Sequence, residues 1–422
     1  MCDYCRSFSI GKPTTISTTD LYRETLEETV NGESLNRRKF LKKASWLSVG
    51  AAATLNSLPG ESAGAELTKA SQVQLLPKAK DLASGGKPIK LFCCDLNFIA
   101  PKGERVVMTP ALPQDWAFID PNEYFAWHRD FGVNIFFLQG YSHCGYAYYP
   151  TKLGPVAPGP GGELFPRLFK LAQKAGLPFC GYFCIALDFC TCNMRSNWLV
   201  PTSRNYTEWG FLAPESPWTD LLCARITEFL RLYPVEWINF DCFNYGKYDS
   251  NDFPVQPSPF VKAPFKEIIG RDMPEKASEI SPEENLKYKR EILARQFHRI
   301  REAMHKGNPG TKANFNVPFF RPAEPMWVNH PMLNECDQLI AESSDTVVDW
   351  LLTIRKPHQR VMTTIIGRPD AKGLCDPNTW RKWYEAGCDF FGYAHGTPPN
   401  FRPHPSLREQ VEMVRQAYRQ MP

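Results

Sequence analysis

Eight short apolar runs alternate with longer segments of helical spacing along residues 88–422, and this alternation limits the fold more than any other feature. Runs that are apolar at nearly every position suit a parallel sheet, because helices cover both faces of such a sheet. Eight strand–helix units in succession favour closure of that sheet over an open one. We therefore predict a single (β/α)8 TIM barrel of the α/β class. The predicted strands are Lys90–Phe98, Val133–Gly140, Pro178–Asp188, Val235–Phe243, Lys312–Val317, Gln338–Ser343, Val361–Gly367 and Asp389–Ala394.

The segments between these runs complete the predicted domain plan. We assign residues 1–65 to a leader, 66–87 to a polar linker and 88–422 to the barrel, with a long loop at 244–282 after the fourth strand. No Gly-x-Gly-x-x-Gly follows the first strand and no Walker pattern occurs, which argues against a nucleotide-binding fold. The clearest helical patterns cover Phe165–Ala175, Trp218–Leu232, Pro282–His305, Trp380–Ala386 and Leu407–Arg419.

The N-terminal segment has the pattern of an export signal. The pair Arg37-Arg38 precedes a Phe-Leu-Lys triplet, a modestly apolar run over Ala44–Leu58 and an Ala-Gly-Ala cleavage pattern at 63–65. This arrangement resembles a twin-arginine signal, and the run is too short for a permanent membrane span. We expect the twin-arginine translocase as an export partner, a mature chain beginning near Glu66, and a periplasmic or extracellular location.

Charge and composition indicate a small or neutral partner. The 49 Lys and Arg residues against 45 Asp and Glu residues leave a formal net charge of +4, which is too balanced to indicate a nucleic-acid or anionic membrane partner. Aromatic residues make up 13% of the chain, and their flat faces suit sugar C–H groups, although a large barrel also buries many aromatics in its core. We therefore expect a carbohydrate substrate and no nucleic acid.

Polar residues stand where the predicted strands end. Active sites of (β/α)8 barrels lie at the carboxyl ends of the strands, where a core would favour Val or Leu. Several carboxylates at such ends therefore predict an active face. In strand order these residues are Asp95, His143, Asp188, Asp241, Asn316, Glu342, Arg368 and His395.

Asp241 and Glu342 are the predicted catalytic pair. Asp241 directly follows the apolar run Trp237–Phe240, where a carboxylate would be held rigidly enough to act as a nucleophile or to stabilise an oxocarbenium ion. Glu342, two strands further on, would protonate the leaving oxygen. Asp345 replaces Glu342 in this role if Glu342 points away. A capping role for Asp241 and a rim salt bridge for Glu342 are the structural alternatives.

The other polar and aromatic residues of this face are predicted to bind sugar hydroxyls or stack on the sugar, and each has a purely structural alternative at the rim. We predict no cofactor and no metal; a site made of His143, Asp188 and His395 is conceivable, but no local ligand pair supports it. A Ser-His-Asp hydrolase lacks its Gly-x-Ser-x-Gly elbow. The predicted substrate-binding residues are Asp95, Tyr141, His143, Asp188, Trp198, Asn316, Asp345, Tyr393 and His395.

Twelve cysteines follow the leader, and their spacings match no zinc pattern. Several lie in apolar strand-like runs, where cysteine behaves as a small buried hydrophobe. Cys190 and Cys192 lie in a predicted loop, and a disulfide between them is left open.

Two segments carry a resemblance to a known family. Phe131-Gly132-Val133-Asn134 followed by Tyr149-Pro150-Thr151-Lys152 resembles the opening of the alpha-L-fucosidase-like and related hypothetical glycosyl hydrolases. The segment Leu171–Tyr182 is similar to the helix and Gly-x-Tyr strand of those families, and the strand that ends in Asp241 is similar to their nucleophile strand. The resemblance covers about 120–245 by motif and 285–420 by strand order alone.

This resemblance implies a retaining, exo-acting glycoside hydrolase with a strand-four nucleophile, Asp241, and a strand-six acid/base, Glu342. The chain departs from the fucosidase pattern in two places. It has Asn239-Phe240-Asp241 where those enzymes usually have Trp-Phe-Asp, and Tyr141-Ser142-His143 in the region of their His-His-Asp motif. The hypothetical hydrolases are therefore the closer comparison. The alternatives are a non-catalytic glycan-binding barrel and a metal-dependent hydrolase on the same fold.

Overall fold

The structure is a computed structural model of the 422-residue chain. It describes eight ranges of the barrel region, and the predicted leader and most of the predicted linker lie outside them. No helix of these ranges is long and apolar enough to cross a membrane. The described residues are 86–99, 109–112, 114–200, 211–245, 254–317, 324–341, 345–366 and 376–421.

Eight parallel strands form one sheet in chain order, which confirms the predicted barrel. Parallel ladders join each strand to the next from β2 (Phe136–Gln139) to β8 (Asp389–Ala394), and β8 pairs with β1 (Lys90–Cys94) through Lys90↔Phe390. The backbone N–H of Asn134 donates to the carbonyl of Lys90 (3.0 Å) and brings β1 next to β2. The barrel is thus nearly closed. The strands are β1 Lys90–Cys94, β2 Phe136–Gln139, β3 Phe179–Cys184, β4 Trp237–Asp241, β5 Lys312–Val317, β6 Gln338–Ala341, β7 Arg360–Ile366 and β8 Asp389–Ala394.

Helices connect these strands on the outside of the barrel, and local sequence signals set their ends. The longest, α6 (Pro282–Gly307), begins with a capping box in which Ser281 and Glu284 satisfy each other's backbone N–H groups. The first, α1 (Pro121–Phe131), is capped by Asp120 and ends at Gly132, whose φ of 95° favours glycine. The helices are α1 Pro121–Phe131, α2 Leu164–Lys174, α3 Phe189–Met194, α4 Trp218–Leu232, α5 Lys262–Ile269, α6 Pro282–Gly307, α7 Asp345–Ile354, α8 Pro377–Glu385 and α9 Arg408–Gln420.

Alternate side chains of the strands face the helices or the barrel interior. Phe183 of β3 packs edge-on against Phe229 of α4 with 5.1 Å between ring centroids, and Phe240 of β4 packs against Phe297 of α6. Their neighbours Tyr182 and Asp241 face inward and hydrogen-bond to each other. The outward residues form the core between sheet and helices, so the polar residues of the same strands are left to line the interior.

Two of the differences between the predicted segments and the structure have a clear physical cause. The first strand was predicted to reach Phe98 but ends at Cys94, because the Asp95 carboxylate accepts the backbone N–H of Asn97 (2.9 Å) and closes a turn. The predicted long loop at 244–282 contains α5, whose Phe265 is fully buried beside Tyr288 of α6. An apolar anchor on a neighbouring helix therefore orders part of that segment.

Acid should weaken this fold through His128. The ring is buried in α1 and bonds to the carbonyl of Tyr124 (2.8 Å), and burial lowers its pKa from 6.5 to about 4. Because the unfolded chain takes up the proton first, this contribution to stability is present above pH 6.5 and is lost as pH falls towards 4. We expect a loss on the order of 3 kcal/mol in the free energy of unfolding.

Urea unfolding between pH 7 and pH 4 measures this effect. The fall should be clearly smaller in His128→Phe than in the wild type, while His358→Gln, on an exposed residue, should follow the wild type. Equal acid sensitivity in all three proteins would show that His128 is not the titrating group.

Candidate active site

Asp241 is the centre of a hydrogen-bonded cluster at the carboxyl end of β4. Its Oδ2 accepts the hydroxyl of Tyr182 (2.8 Å), and its Oδ1 accepts the side-chain amide of Asn316 (3.0 Å) and the backbone N–H of Cys242 (2.7 Å). Tyr182 and Asn316 belong to the two strands that flank β4, and the carboxylate is partly exposed. The neighbouring strands therefore fix the orientation of a carboxylate that solvent reaches.

His143 extends this cluster through Tyr182. Its Nε2 lies 2.8 Å from the Tyr182 hydroxyl, which already donates to Asp241, so the Nε2–H donates to the tyrosine oxygen. Burial lowers the pKa of His143, but its contacts with Cys242 and the nearby Asp241 and Asp95 carboxylates outweigh burial and raise that pKa above 6.5. Consecutive hydrogen bonds thus join the imidazole of His143, the phenol of Tyr182 and the carboxylate of Asp241.

The loop that carries His143 is fixed at two points. The backbone N–H of His143 donates to the side chain of Asn97 (2.9 Å), which follows β1. Gly145 has a φ of 82°, and a Cβ there would overlap the carboxylate of Asp188. Only glycine lets this loop pack so closely against the start of α3.

Asp95 and His395 form a second polar pair on the same face. His395 Nε2 lies 3.2 Å from Asp95 Oδ2, close enough for an ion pair but not aligned as a hydrogen bond. Gln139 of β2 donates to the other carboxylate oxygen (3.3 Å). Burial raises the pKa of Asp95, yet the His395 contact and the charge of His143 hold it below its usual value. Asp95 is therefore suited to accepting hydrogen bonds rather than to donating a proton.

Asp188 is committed to a buried ion pair. Its Oδ2 lies 2.6 Å from Nη1 of Arg225, both side chains are 3% exposed, and its Oδ1 accepts the backbone N–H of Thr191 at the start of α3. Arg225 also lies 4.4 Å above the ring of Tyr141, whose ring packs near outward-facing Phe183. The structure therefore places Asp188 and Tyr141 beside Arg225 in the layer between sheet and helices.

The two other predicted aromatics have different positions. Tyr393 of β8 lies beside His395, with 5.7 Å between ring centroids, and so belongs to the face that carries Asp95. Trp198 is 5% exposed and lies under the guanidinium of Arg195.

The remaining predicted carboxylates are Glu342 and Asp345. Glu342 lies outside the described residues, as does Arg368; in the sequence Glu342 directly follows Ala341, the last residue of β6. Asp345 is the first residue of α7, and only its backbone is described. The separation between Asp241 and Glu342 therefore stays a prediction.

Sequence reasoning missed Tyr182, Cys184 and Cys242. Tyr182 had a detectable signal, since alternation along β3 puts it on the same face as Cys184 at the strand end. Cys242 had none, because it reaches the interior through a backbone φ of 55° that side-chain patterning does not reveal.

The described residues contain one group of three potential metal ligands, namely His143, Cys184 and Cys242. The site of His143, Asp188 and His395 considered from the sequence shares only His143 with this group. In that site the carboxylate of Asp188 is not available to a metal, because it forms an ion pair with Arg225. All eleven cysteines of the described ranges are free thiols, including Cys190 and Cys192, so no disulfide joins those two.

Comparison with known proteins gives a likeness in structure but not in sequence. No known protein family matches the sequence, and no curated protein matches it. The fold is similar to alpha-L-fucosidase isoenzyme 2 from Paenibacillus thiaminolyticus, at 16% identity and a TM-score of 0.57, over 79% of this chain and 49% of that one. The chain thus spans about half the length of that relative.

Two further solved structures are more distant. Unliganded alpha-L-fucosidase AlfC from Lactobacillus casei has 13% identity and a TM-score of 0.44, over 78% of this chain and 94% of that one. Thermotoga maritima alpha-fucosidase has 15% identity and a TM-score of 0.39, over 73% and 57%. At 16% identity the first of these similarities establishes the fold alone, a (β/α)8 barrel.

Proposed function

We propose that this protein is a glycoside hydrolase that retains anomeric configuration, with Asp241 as its nucleophile and Glu342 as its acid/base. The observation that carries the proposal is the fixed, partly exposed carboxylate of Asp241 at the carboxyl end of β4, held by donors from β3, β5 and its own turn. Such ends form the active face of this fold. The similarity in fold to alpha-L-fucosidases is consistent with the same reaction class.

The reaction has two steps in this proposal. An Asp241 oxygen attacks the anomeric carbon while Glu342 gives its proton to the leaving oxygen, which forms a glycosyl ester and releases the alcohol. Glu342 then takes a proton from water, the water attacks the anomeric carbon, and the Asp241 carboxylate leaves. The two carboxyl groups should stand roughly 5–5.5 Å apart in such an enzyme.

Two arguments support Glu342 as the acid/base: its place in the strand order and the ionised state of Asp95, the other carboxylate of this face. Asp95 is held ionised by His395 and His143, so it is a poor proton donor. Glu342 directly follows β6, two strands from β4 around the barrel, and Asp345 is the substitute. We propose that Asp95, His143, Asn316, Tyr393 and His395 contact the sugar.

We also propose export through the twin-arginine pathway to the periplasm or the outside of the cell. The support is the sequence alone, with Arg37-Arg38, the apolar run and the Ala-Gly-Ala pattern at 63–65. A fusion of residues 1–65 to a folded reporter should be exported by cells with the translocase, and Arg37→Lys/Arg38→Lys should abolish that export. Export that persists in cells without the translocase would contradict this pathway.

A panel of aryl glycosides tests the activity. The full chain should release the aryl group from at least one sugar, alpha-L-fucoside among them, and NMR should show a first product of unchanged anomeric configuration. Binding of a sugar without turnover of any glycoside would favour the glycan-binding alternative. Turnover with inverted configuration would contradict the nucleophile role of Asp241.

Tyr182→Phe should lower kcat by roughly 10- to 100-fold with little change in stability. The substitution keeps the ring inside the barrel and removes the one hydroxyl that donates to Asp241 and accepts from His143. Steady-state kinetics measure the effect, with Tyr384→Phe as the control, since Tyr384 is a buried tyrosine of α8 that is not part of the Asp241 cluster. An unchanged kcat would show that the hydroxyl does not position the nucleophile.

A further inference from the structure

Three side chains that the sequence analysis did not group converge beside Asp241. His143 lies in the loop after β2, Cys184 ends β3, and Cys242 follows β4. Their ligand atoms all lie within 4.8 Å of one another, and all three side chains are buried. We propose that His143, Cys184 and Cys242 bind one divalent metal ion with a preference for sulfur and nitrogen ligands, zinc foremost.

The spacing of the ligand atoms fits such an ion. Cys242 Sγ lies 3.4 Å from His143 Nε2. Zinc binds cysteine sulfur at about 2.3 Å and histidine nitrogen at about 2.0–2.1 Å, so a tetrahedral site sets these two atoms about 3.6 Å apart. The ion therefore fits between Cys242 and His143 with only a small movement of either side chain.

The backbone at Cys242 is turned to build this cluster. Successive residues of a regular strand point to opposite faces, yet Asp241 contacts Tyr182 inside the barrel and Cys242 contacts His143 there as well. A φ of 55° at Cys242 makes this possible, in a region that residues other than glycine rarely adopt. Strained backbone of this kind concentrates at functional sites.

Neighbouring groups support the ligands. The backbone N–H of Leu187 donates to Cys184 Sγ (3.3 Å), and such a bond stabilises a thiolate. The backbone of His143 is held by Asn97 (2.9 Å), and its buried Nδ1 has no partner among the described residues. When the ion binds, the imidazole carries its proton on Nδ1 and offers Nε2 to the ion in place of the hydrogen bond to Tyr182, while Tyr182 keeps its hydrogen bond to Asp241.

The ligand chemistry identifies the class of ion. Two thiolates and one imidazole select zinc or copper over magnesium and calcium, which prefer oxygen. Binding of Zn²⁺ releases the two thiol protons to solvent, so the charges of the ion and its thiolates cancel. Three protein ligands leave the fourth tetrahedral position for an oxygen from water or substrate. The nucleophile of the proposed glycosidase is not among these ligands, although His143, a proposed sugar contact, is one of them.

Metal content of the purified full-length chain tests this inference. After reduction, incubation with Zn²⁺ and gel filtration, we expect about one zinc ion per chain. Cys184→Ser and Cys242→Ser should each reduce this content to near zero. Cys180→Ser is the matched control, since Cys180 is buried on the same strand but lies outside the cluster. Replacement of zinc by Co²⁺ should produce a thiolate-to-cobalt charge-transfer band in the wild type and the control only.

Thermal melting tests metal binding even if one of the cysteine variants folds poorly. Added Zn²⁺ should raise the Tm of the wild type and of Cys180→Ser. Absence of retained metal and of the cobalt band would overturn the inference. Equal zinc in the wild type and both cluster variants, or a Cys184–Cys242 disulfide with no metal, would overturn it as well.

Discussion

Replacing Asp241 with asparagine should lower kcat on the order of 10⁴-fold, which is the scale seen when one member of a catalytic group is removed. The substitution keeps the size of the side chain but removes the oxygen that would form the glycosyl ester. Sugar binding should persist, because the proposed hydroxyl contacts come from other strands. Steady-state kinetics on the aryl glycoside found in the panel give the rate, and calorimetry gives the affinity of the variant for the same sugar.

Two further variants show whether the loss is chemical. In Asp241→Gly, azide should restore turnover and form a glycosyl azide, because the small anion occupies the space of the missing carboxylate. Asp220→Asn, on an exposed aspartate of α4, is the control and should keep wild-type kinetics. A kcat for Asp241→Asn within about tenfold of the wild type would rule out a nucleophile role.

The largest effect on stability is expected for Asp188→Ala. The change leaves the guanidinium of Arg225 buried without its partner and removes the cap of α3. Breaking one side of a buried pair typically costs about 3–5 kcal/mol, because the remaining charge is uncompensated. Urea unfolding should show a loss of this size, while the kcat of the folded fraction stays near the wild-type value.

The exposed pair of Asp349 and Lys382 provides the comparison. Its atoms lie 2.6 Å apart, as in the buried pair, but both side chains are about half exposed. Asp349→Ala should therefore cost less than about 1 kcal/mol. A similar small cost for Asp188→Ala, combined with a collapse of kcat/KM, would instead support the predicted role of Asp188 in substrate binding.

The fold was predictable because each of its eight strands leaves its own local pattern. The helix Trp218–Leu232 and the strand Lys312–Val317 have the predicted bounds. The ends of the strands were harder to predict from the sequence, because hydrogen bonds to side chains determine where a strand stops. β3 was predicted to reach Asp188 but ends at Cys184, although the next two backbone N–H groups still bond to residues 241 and 242.

The candidate site was predictable only in part. Asp241, Asn316 and His143 could be named because polar residues interrupt apolar runs at strand ends, and the structure brings these three together around Tyr182. Asp188 satisfied the same pattern, yet Arg225, which is distant in sequence, occupies its carboxylate. Patterns along one chain do not show which partner a buried charge has, nor that a backbone turn brings Cys242 inward.

A trapped glycosyl-enzyme tests the central claim most directly. The full chain is incubated with a 2-deoxy-2-fluoro glycoside of the sugar found in the panel, which slows release of the intermediate, and is then digested for mass spectrometry. We predict one fluorosugar on the peptide that contains residues 237–241, located at Asp241 by fragmentation. A label on another carboxylate, or turnover without any covalent label, would contradict the assignment of Asp241 as nucleophile.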